Sequence, residues 1–258
     1  MVTLTHVGGP TTVIEVGGWR ILTDPTFDAP GRTYRFGWGT SSRKTTGPAL
    51  GAGDVGPVDV VLLSHDHHAD NLDDTGRSLL AGAVVVTTAP GAVRLGSGAR
   101  GLRPWEVTRL AAPGRPDLTV TATPCRHGPP GSRALVGEVV GFLVAWEGQR
   151  HGALWVSGDT TLFRGVRQVA RRAQVSVAVL HLGGVRFPVT GPLRYSMTGA
   201  DAVGLCRELR PRTVVPVHYE GWSHFAQGRT ELAAELASAR MVADVEWPVP
   251  GVPLPLEV

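Results

Sequence analysis

The sequence predicts an α/β fold in which two mixed β-sheets pack between helices. Short β-branched and apolar runs indicate strands, and helical segments alternate with them along the chain. The same order occurs twice, because each half opens with antiparallel-type strands and continues into strand-helix alternation. Two such halves favour two sheets enclosed by helices, and no interdomain linker is visible, so we predict one domain over residues 1–258.

The first half begins with an antiparallel meander. Its three strands are predicted at 3–7, 12–16 and 20–23. Residues 25–57 follow with no sustained period, and loops of this length are usually functional, so we predict a substrate-covering loop. The next elements are predicted to be a buried strand at 58–63, a helix at 72–81, a strand at 83–87, a short helix after Pro90, and strands at 105–110 and 118–123.

The second half repeats this style. It is predicted to contain strands at 139–146, 153–157, 175–180 and 213–217, and helices at 162–172, 198–209 and 230–239. Residues 247–251 are rich in proline and are expected to be extended.

Composition excludes several classes of protein. Hydrophobic residues make up 42% of the 258 positions and charged residues 18%, which excludes disorder along the whole chain. A net charge of +3 is weak evidence for nucleic acid, so no nucleic-acid partner is expected. No apolar run approaches the length of a membrane-spanning helix, and no signal peptide is visible. Two cysteines without CxxC spacing fit a reducing compartment, and we expect a cytoplasmic protein.

A dense group of ligand-type residues follows the buried strand at 58–63. Its sequence is Ser64-His65-Asp66-His67-His68-Ala69-Asp70-Asn71. Histidines at i and i+2 leaving a strand can point to the same side, where neutral imidazoles can bind one metal ion. Three further candidates follow other predicted strands, namely His127, Asp159 and His218. Strand ends that meet at one edge are where open α/β sheets bind ligands, and imidazole with carboxylate suits zinc, manganese, iron or nickel.

These residues, in this order, resemble the metallo-β-lactamase superfamily. The motifs that carry the resemblance are His65-Asp66-His67 with Asp70, His127, Ser157-Gly158-Asp159-Thr160 and Pro216-Val217-His218-Tyr219. Leu22-Thr23-Asp24-Pro25 and His181-Leu182-Gly183-Gly184 are similar to the branch of ascorbate 6-phosphate lactonases and N-acylphosphatidylethanolamine-hydrolysing phospholipases D. The resemblance implies a four-layer αβ/βα sandwich, the metallo-β-lactamase fold.

The resemblance also implies a ligand set. His65, His67 and His127 would hold a first metal ion, Asp159 would bridge, and His218 with Asp70 or His68 would hold a second. Zinc is the first expectation, with manganese, iron or nickel as alternatives. The family pattern is H-x-H-x-D-H, whereas here the Asp arrives one position late and Asn71 replaces the final His. Either His68 or Asp70 completes a second site, or the protein binds one ion.

We interpret the chain as a metal-dependent hydrolase in which bound metal supplies hydroxide at neutral pH to a carbonyl or phosphoryl centre. Asp70 is the candidate proton acceptor, and His181 and His224 are candidates for touching substrate. Arg43 would bind a small anionic substrate, either a lactone or a phosphate ester, because arginine suits phosphate. The alternative is a non-hydrolytic metal-binding or regulatory protein with an altered second site. Self-association is left open.

Overall fold

Two seven-stranded mixed sheets face each other, and helices pack on their outer sides. The computed structural model describes residues 2–96, 98–239 and 243–258. One apolar core fills the space between the sheets, and two further cores lie under the helices on either side. The predicted α/β fold with four layers is therefore confirmed.

The first sheet has the order β16-β1-β2-β3-β6-β7-β8. Its strands are β1 (Val2–Gly8), β2 (Thr11–Val16), β3 (Trp19–Thr23), β6 (Val60–Leu62), β7 (Val84–Thr88), β8 (Arg100–Leu102) and β16 (Pro253–Leu256). The first three strands are antiparallel as predicted, and β3, β6, β7 and β8 run parallel. Strands β8 and β16 are additions to the predicted set, and two prolines fit β16 because it is an edge strand.

The second sheet has the order β15-β14-β13-β12-β11-β10-β9. Its strands are β9 (Val107–Leu110), β10 (Leu118–Pro124), β11 (Val140–Trp146), β12 (Ala153–Val156), β13 (Val175–His181), β14 (Thr213–Val217) and β15 (Asp244–Val245). Each neighbouring pair of strands from β9 to β12 is antiparallel, whereas each neighbouring pair from β12 to β15 is parallel.

The long segment at 25–57 contains a hairpin that the sequence analysis did not predict. Strands β4 (Thr33–Gly37) and β5 (Thr40–Arg43) pair with each other and form a separate two-stranded sheet. Trp38 lies at the tip between two glycines, and all three residues have positive φ, which glycine adopts easily and tryptophan rarely.

The helices are α1 (Asp74–Arg77), α2 (Ala89–Leu95), α3 (Arg133–Val136), α4 (Val169–Arg172), α5 (Gly199–Leu209) and α6 (Arg229–Ser238). Two of them are shorter than the predicted helices at 72–81 and 162–172, since 3-10 turns at 78–80 and 166–168 occupy part of those segments. Helix α5 begins with a capping box in which Thr198 and Asp201 exchange hydrogen bonds, and its buried face packs against the second sheet.

Strand β6 is buried on both of its faces. Val60 and Leu62 belong to the core between the sheets, while Val61 and Leu63 belong to the core under the helices. A continuous apolar run is therefore required here instead of alternation. Strands β3 and β6 are parallel, as are β12, β13 and β14, so their carboxyl ends meet at one edge of the sandwich. Polar side chains follow these strand ends.

Candidate metal centre

Three groups of buried side chains lie at this edge. In each group the potential ligand atoms lie within 4.8 Å of one another. The groups are His65, His68 and His127; Asp70, His218 and His224; and Asp159, His181 and His218.

The first group contains three imidazoles with facing nitrogens. His65 Nε2 and His68 Nδ1 are 3.1 Å apart, so a proton or a cation must lie between their lone pairs. His127 Nδ1 donates to the carbonyl oxygen of Tyr195 at 2.7 Å, and His65 Nδ1 lies 2.9 Å from Ser64 Oγ. Such outer partners leave the Nε2 atoms of both rings free for a metal. Burial lowers the pKa of all three histidines, which keeps them in the neutral form that binds metal.

His67 is outside this group, contrary to the predicted ligand set. Its side chain is 23% exposed, and its Nε2 donates to the backbone oxygen of Val136. Between the two ligand-type histidines, Asp66 points away and accepts two hydrogen bonds from Arg94 on α2. The rings of His67 and His68 both lie 4.9 Å from the ring of His65, but His68 turns a nitrogen toward His65 Nε2 whereas the Nε2 of His67 is used by Val136. In the structure, His68 and not His67 joins His65 and His127 in a group that could hold a metal ion.

The second group brings together residues from distant parts of the chain. Asp70 Oδ2 lies 3.5 Å from His224 Nε2 and 3.9 Å from His218 Nε2. Burial raises the pKa of Asp70 to about 7 and lowers the pKa of His224 to about 3. Each of these side chains has at least one buried nitrogen or oxygen without a hydrogen-bond partner among the described residues. Asn71, at the position of the expected final histidine, donates to Ser64 Oγ at 3.3 Å.

Asp159 lies beside the second group. Its Oδ1 accepts a hydrogen bond of 2.8 Å from His218 Nδ1, and its buried Oδ2 has no partner among the described residues. Burial alone would raise the pKa of Asp159, but His218 outweighs it and the pKa falls well below the ordinary value. The preceding Gly158 has a φ of 62°, and a Cβ there would lie 2.7 Å from the Val140 oxygen, so this turn requires glycine.

Two backbone positions near the site have φ values that are unusual for non-glycine residues. His218 has a φ of 55°, and its N–H donates to the Gly9 oxygen at 2.9 Å. Asp24 has a φ of 33°, and its Oδ1 accepts from the Ser64 N–H at 2.6 Å. Strained residues of this kind persist where the surroundings hold them, and they are frequent at functional sites.

His181 is a member of the third group, but it does not face open space. Its side chain is fully buried, and its Nε2 lies 3.4 Å from Asp24 Oδ2. The expectation that His181 touches substrate therefore fits the structure less well than a role in orienting carboxylates. His224, expected to touch substrate, instead faces Asp70 and His218. Its position six residues after His218 carries no local signal for a ligand, so sequence analysis did not assign it to the metal.

A cavity of about 460 Å³ opens next to the three groups of potential metal ligands. His68, Asp70 and His127 line its inner end, and Phe36, Trp38 and Thr40 of the hairpin contribute to its wall, so the loop at 25–57 does border the site. Arg43 does not line the cavity, and its side chain is exposed, contrary to the predicted substrate contact. Two other cations of that loop are paired, because Lys44 bonds to Asp73 at 2.9 Å and Arg32 to Asp74 at 2.6 Å. None of these three cations therefore lines the cavity.

Comparisons with known proteins identify hydrolases that are similar to this chain. The chain is 27% identical to a UPF0173 metal-dependent hydrolase of Pyrobaculum neutrophilum over 233 residues, which covers 89% of each chain. Among solved structures, it is similar to Igni18, a metallo hydrolase from Ignicoccus hospitalis, with a TM-score of 0.73, 25% identity and coverage of 98% and 97%. It also shares its fold with an isothiocyanate hydrolase from Delia radicum gut bacteria, with a TM-score of 0.81, 19% identity and coverage of 99% and 100%.

A family model supports the same conclusion from sequence. The model described as a beta-lactamase superfamily domain matches residues 19–219, which include every member of the first and third groups. Of the second group, Asp70 and His218 lie inside the match and His224 lies five residues beyond it. With the fold and the ordered histidines and aspartates already described, this match establishes that the chain belongs to the beta-lactamase superfamily.

Proposed function

We propose that the protein is a metal-dependent hydrolase with two adjacent metal sites. His65, His68 and His127 would hold one ion, Asp70, His218 and His224 would hold the other, and Asp159 would bridge them. The observation that carries this proposal is a set of buried atoms that have no hydrogen-bond partner in the described part of the chain, namely Asp70 Oδ1, Asp159 Oδ2, His218 Nε2 and both ring nitrogens of His224. Buried polar atoms without partners cost free energy, and a shared cation removes that cost.

The chemistry of these side chains fits the proposed ions. Neutral imidazoles with carboxylates suit zinc first, with manganese, iron or nickel as alternatives. The pKa shifts support this fit, because burial favours neutral His65, His68 and His224, whose lone pairs are then available. In place of the missing final imidazole of the family pattern, His224 would complete the second site.

Bound at these positions, divalent ions would supply a hydroxide nucleophile at neutral pH and polarise the oxygen of a substrate. The chain's own residues would orient the ligands and carry protons. Ser64 and the Tyr195 carbonyl fix the rings of His65 and His127. Asp70 borders the cavity, so its carboxylate would accept a proton from the attacking water and pass it to the leaving group.

The proposed reaction is hydrolysis of an ester bond in a small molecule, either a lactone or a phosphate ester. The relative from Pyrobaculum neutrophilum and Igni18 are both named as metal-dependent or metallo hydrolases, which supports the reaction class. No helix within the described ranges is long and apolar enough to cross a bilayer. We propose a cytoplasmic enzyme that acts on a diffusible substrate.

Elemental analysis of purified protein, combined with turnover of lactones and phosphate esters, tests this function. We expect two divalent ions per chain and hydrolysis that chelation abolishes. His224→Ala should lower the content to one ion, while His151→Ala, at a partly exposed turn position, should keep both. Two bound ions without turnover of any substrate would favour a regulatory metal-binding protein, and absence of metal would overturn the proposal.

A further inference from the structure

We propose that the substrate is an uncharged ester or lactone that carries an alkyl or aryl group, and that this group occupies the apolar cavity beside the metal centre. This inference rests on the proposed function and narrows its substrate class. The reacting carbonyl would lie at the inner end, near His68, Asp70 and His127, and the apolar group would extend outward.

The wall of the cavity is mainly hydrophobic. Its apolar members come from three segments, namely the hairpin and residues 129–136 and 185–195, and the largest are Phe36, Trp38, Phe187 and Tyr195. A volume of about 460 Å³ lies within the range of small-molecule sites, which are typically apolar with a few polar groups at one end. Here the polar end consists of the metal-ligating side chains.

The described residues that line the cavity provide no positive charge that could bind an anion. No lysine or arginine is among the described residues that line it, and Asp70 is the one carboxylate there. Two cations next to lining residues are paired with carboxylates, because Arg133 bonds to Glu138 and Arg194 lies 3.4 Å from Asp201. A phosphate or carboxylate on the substrate would lose its hydration in the cavity without gaining a cationic partner there.

The mouth of the cavity exposes apolar side chains that a substrate could cover. Trp38 is 74% exposed, Leu135 51% and Leu193 41%, and all three line the cavity. Exposed hydrophobic side chains that cluster around one opening mark a binding site more often than scattered ones do. An apolar chain that leaves the cavity would bury this rim and gain free energy in proportion to the covered area.

Phe36 connects the apolar wall to the metal groups. Its ring centroid lies 5.4 Å from His68 of the first group and 6.0 Å from His224 of the second. It also packs edge-on against Phe187 at 5.9 Å. The apolar surface therefore continues to both metal sites, so a bound apolar group would hold its ester next to the proposed ions.

The reaction adds water across the acyl C–O bond. The water oxygen bonds to the carbonyl carbon, the C–O bond breaks, and its electron pair leaves with the alkoxide oxygen. Asp70 would take one water proton and return it to that oxygen, so an alcohol and a carboxylic acid are formed. For a lactone, both groups remain in one molecule.

A series of p-nitrophenyl esters tests the proposal with the metal-loaded protein. We expect kcat/KM to rise about two- to fourfold per methylene from acetate through butyrate to octanoate, because each buried methylene adds transfer free energy. p-Nitrophenyl phosphate and bis(p-nitrophenyl) phosphate should be hydrolysed at less than about one hundredth of the octanoate rate. The uncharged N-octylacetamide should bind in calorimetry at least tenfold more tightly than octyl phosphate.

Leu193→Asp is the test variant. Val93→Asp on α2 is the matched control, because Val93 is 83% exposed and lies outside the cavity. Leu193→Asp should lower octanoate kcat/KM and N-octylacetamide affinity at least tenfold, leave acetate within about twofold, and retain two ions. The control should match the wild type. Equal turnover along the ester series, a preference for phosphate esters or unchanged binding in Leu193→Asp would overturn this inference while leaving the hydrolase proposal intact. Tight amide binding with no turnover of any ester, lactone or phosphate would overturn the hydrolase function and with it this inference.

Discussion

One additional residue in the histidine-rich segment decides which histidines face the candidate metal site. The segment from His65 to Asn71 has one residue more between its first histidine and its Asp than the family pattern, and the structure absorbs it by turning Asp66 toward Arg94. The paired guanidinium and carboxylate form two hydrogen bonds, which hold Asp66 away from the metal groups. The Nε2 of His67 consequently reaches the Val136 oxygen, and it is His68 that turns a ring nitrogen toward His65.

The placement of His67 outside the three groups leads to a paired prediction. His68→Ala removes one of three imidazoles from the first group and should lower metal content by about one ion per chain and activity at least 100-fold. His67→Ala removes a ring that donates to Val136 and belongs to none of the three groups, so it should retain both ions and activity within about threefold. Elemental analysis and steady-state kinetics on the same preparations measure both effects. Loss of metal in His67→Ala with full retention in His68→Ala would reverse the assignment.

Among the elements, the hairpin β4–β5 shapes the cavity, and the segment before it is fastened to α1. Asp28 accepts hydrogen bonds from the N–H and hydroxyl of Thr75 at 2.9 and 2.6 Å and from the hydroxyl of Tyr34 at 2.6 Å. Its own N–H donates to Asp73, which also binds the buried Lys44. These contacts tie β4 and the residue that follows β5 to the segment that carries the proposed metal ligands.

Removal of this anchor should show a defined pH dependence. Burial would raise the pKa of Asp28, but the bonds from Thr75 and Tyr34 outweigh it, so the pKa lies below its ordinary value. A carboxyl whose pKa is lower in the folded state stabilises the fold above its unfolded value of about 3.9, and this contribution disappears as pH falls through the folded value. Asp28→Ala should therefore lower the free energy of unfolding by about 1–3 kcal/mol at pH 7.

The same variant should approach wild-type stability as the pH falls below about 4. Urea unfolding at pH 7, 5 and 3.5 measures the difference, with Asp117→Ala at an exposed position as control. A difference between Asp28→Ala and wild type that stayed constant over this range would show that the carboxylate charge contributes nothing.

At the scale of the whole molecule, the proposed metal sites join the two sheets. His65, His68 and Asp70 follow β6 of the first sheet, whereas His127, Asp159 and His218 follow strands of the second. Each proposed ion would thus have ligands from both sides of the sandwich. Binding to the folded state alone stabilises it by about 4 kcal/mol when the free ligand is a thousandfold above Kd.

Chelation should therefore destabilise the entire fold. With two ions removed, we expect Tm to fall on the order of 10 °C, since each kcal/mol shifts Tm by about 2–4 °C in a chain of this size. Calorimetry with and without a chelator measures the shift, and re-addition of zinc should restore it. In His127→Ala the shift should be smaller. An unchanged Tm after verified metal removal would show that the ions do not link the sheets.

Local sequence patterns predict most of the strands and helices. The apolar runs of β6 and β13 are buried on both faces, which their sequences indicate directly, and the predicted edge of converging strand ends is where the ligand-type residues meet. The hairpin β4–β5 escaped prediction because its sequence lacks alternation, and its tip requires a positive φ at Trp38. The predicted helices at 72–81 and 162–172 are shorter in the structure because 3-10 turns take part of each segment.

The sequence alone determined the fold class, the family resemblance and the participation of His65, His127, Asp70, Asp159 and His218 at one site. The tertiary structure decided that His68 faces inward, that His224 joins Asp70, and that Arg43 lies outside the cavity. The physical reason is the range of the interactions. Strand patterns and motif order depend on neighbours along the chain, whereas the direction of a side chain after a turn depends on distant partners such as Arg94, Val136 and Phe36.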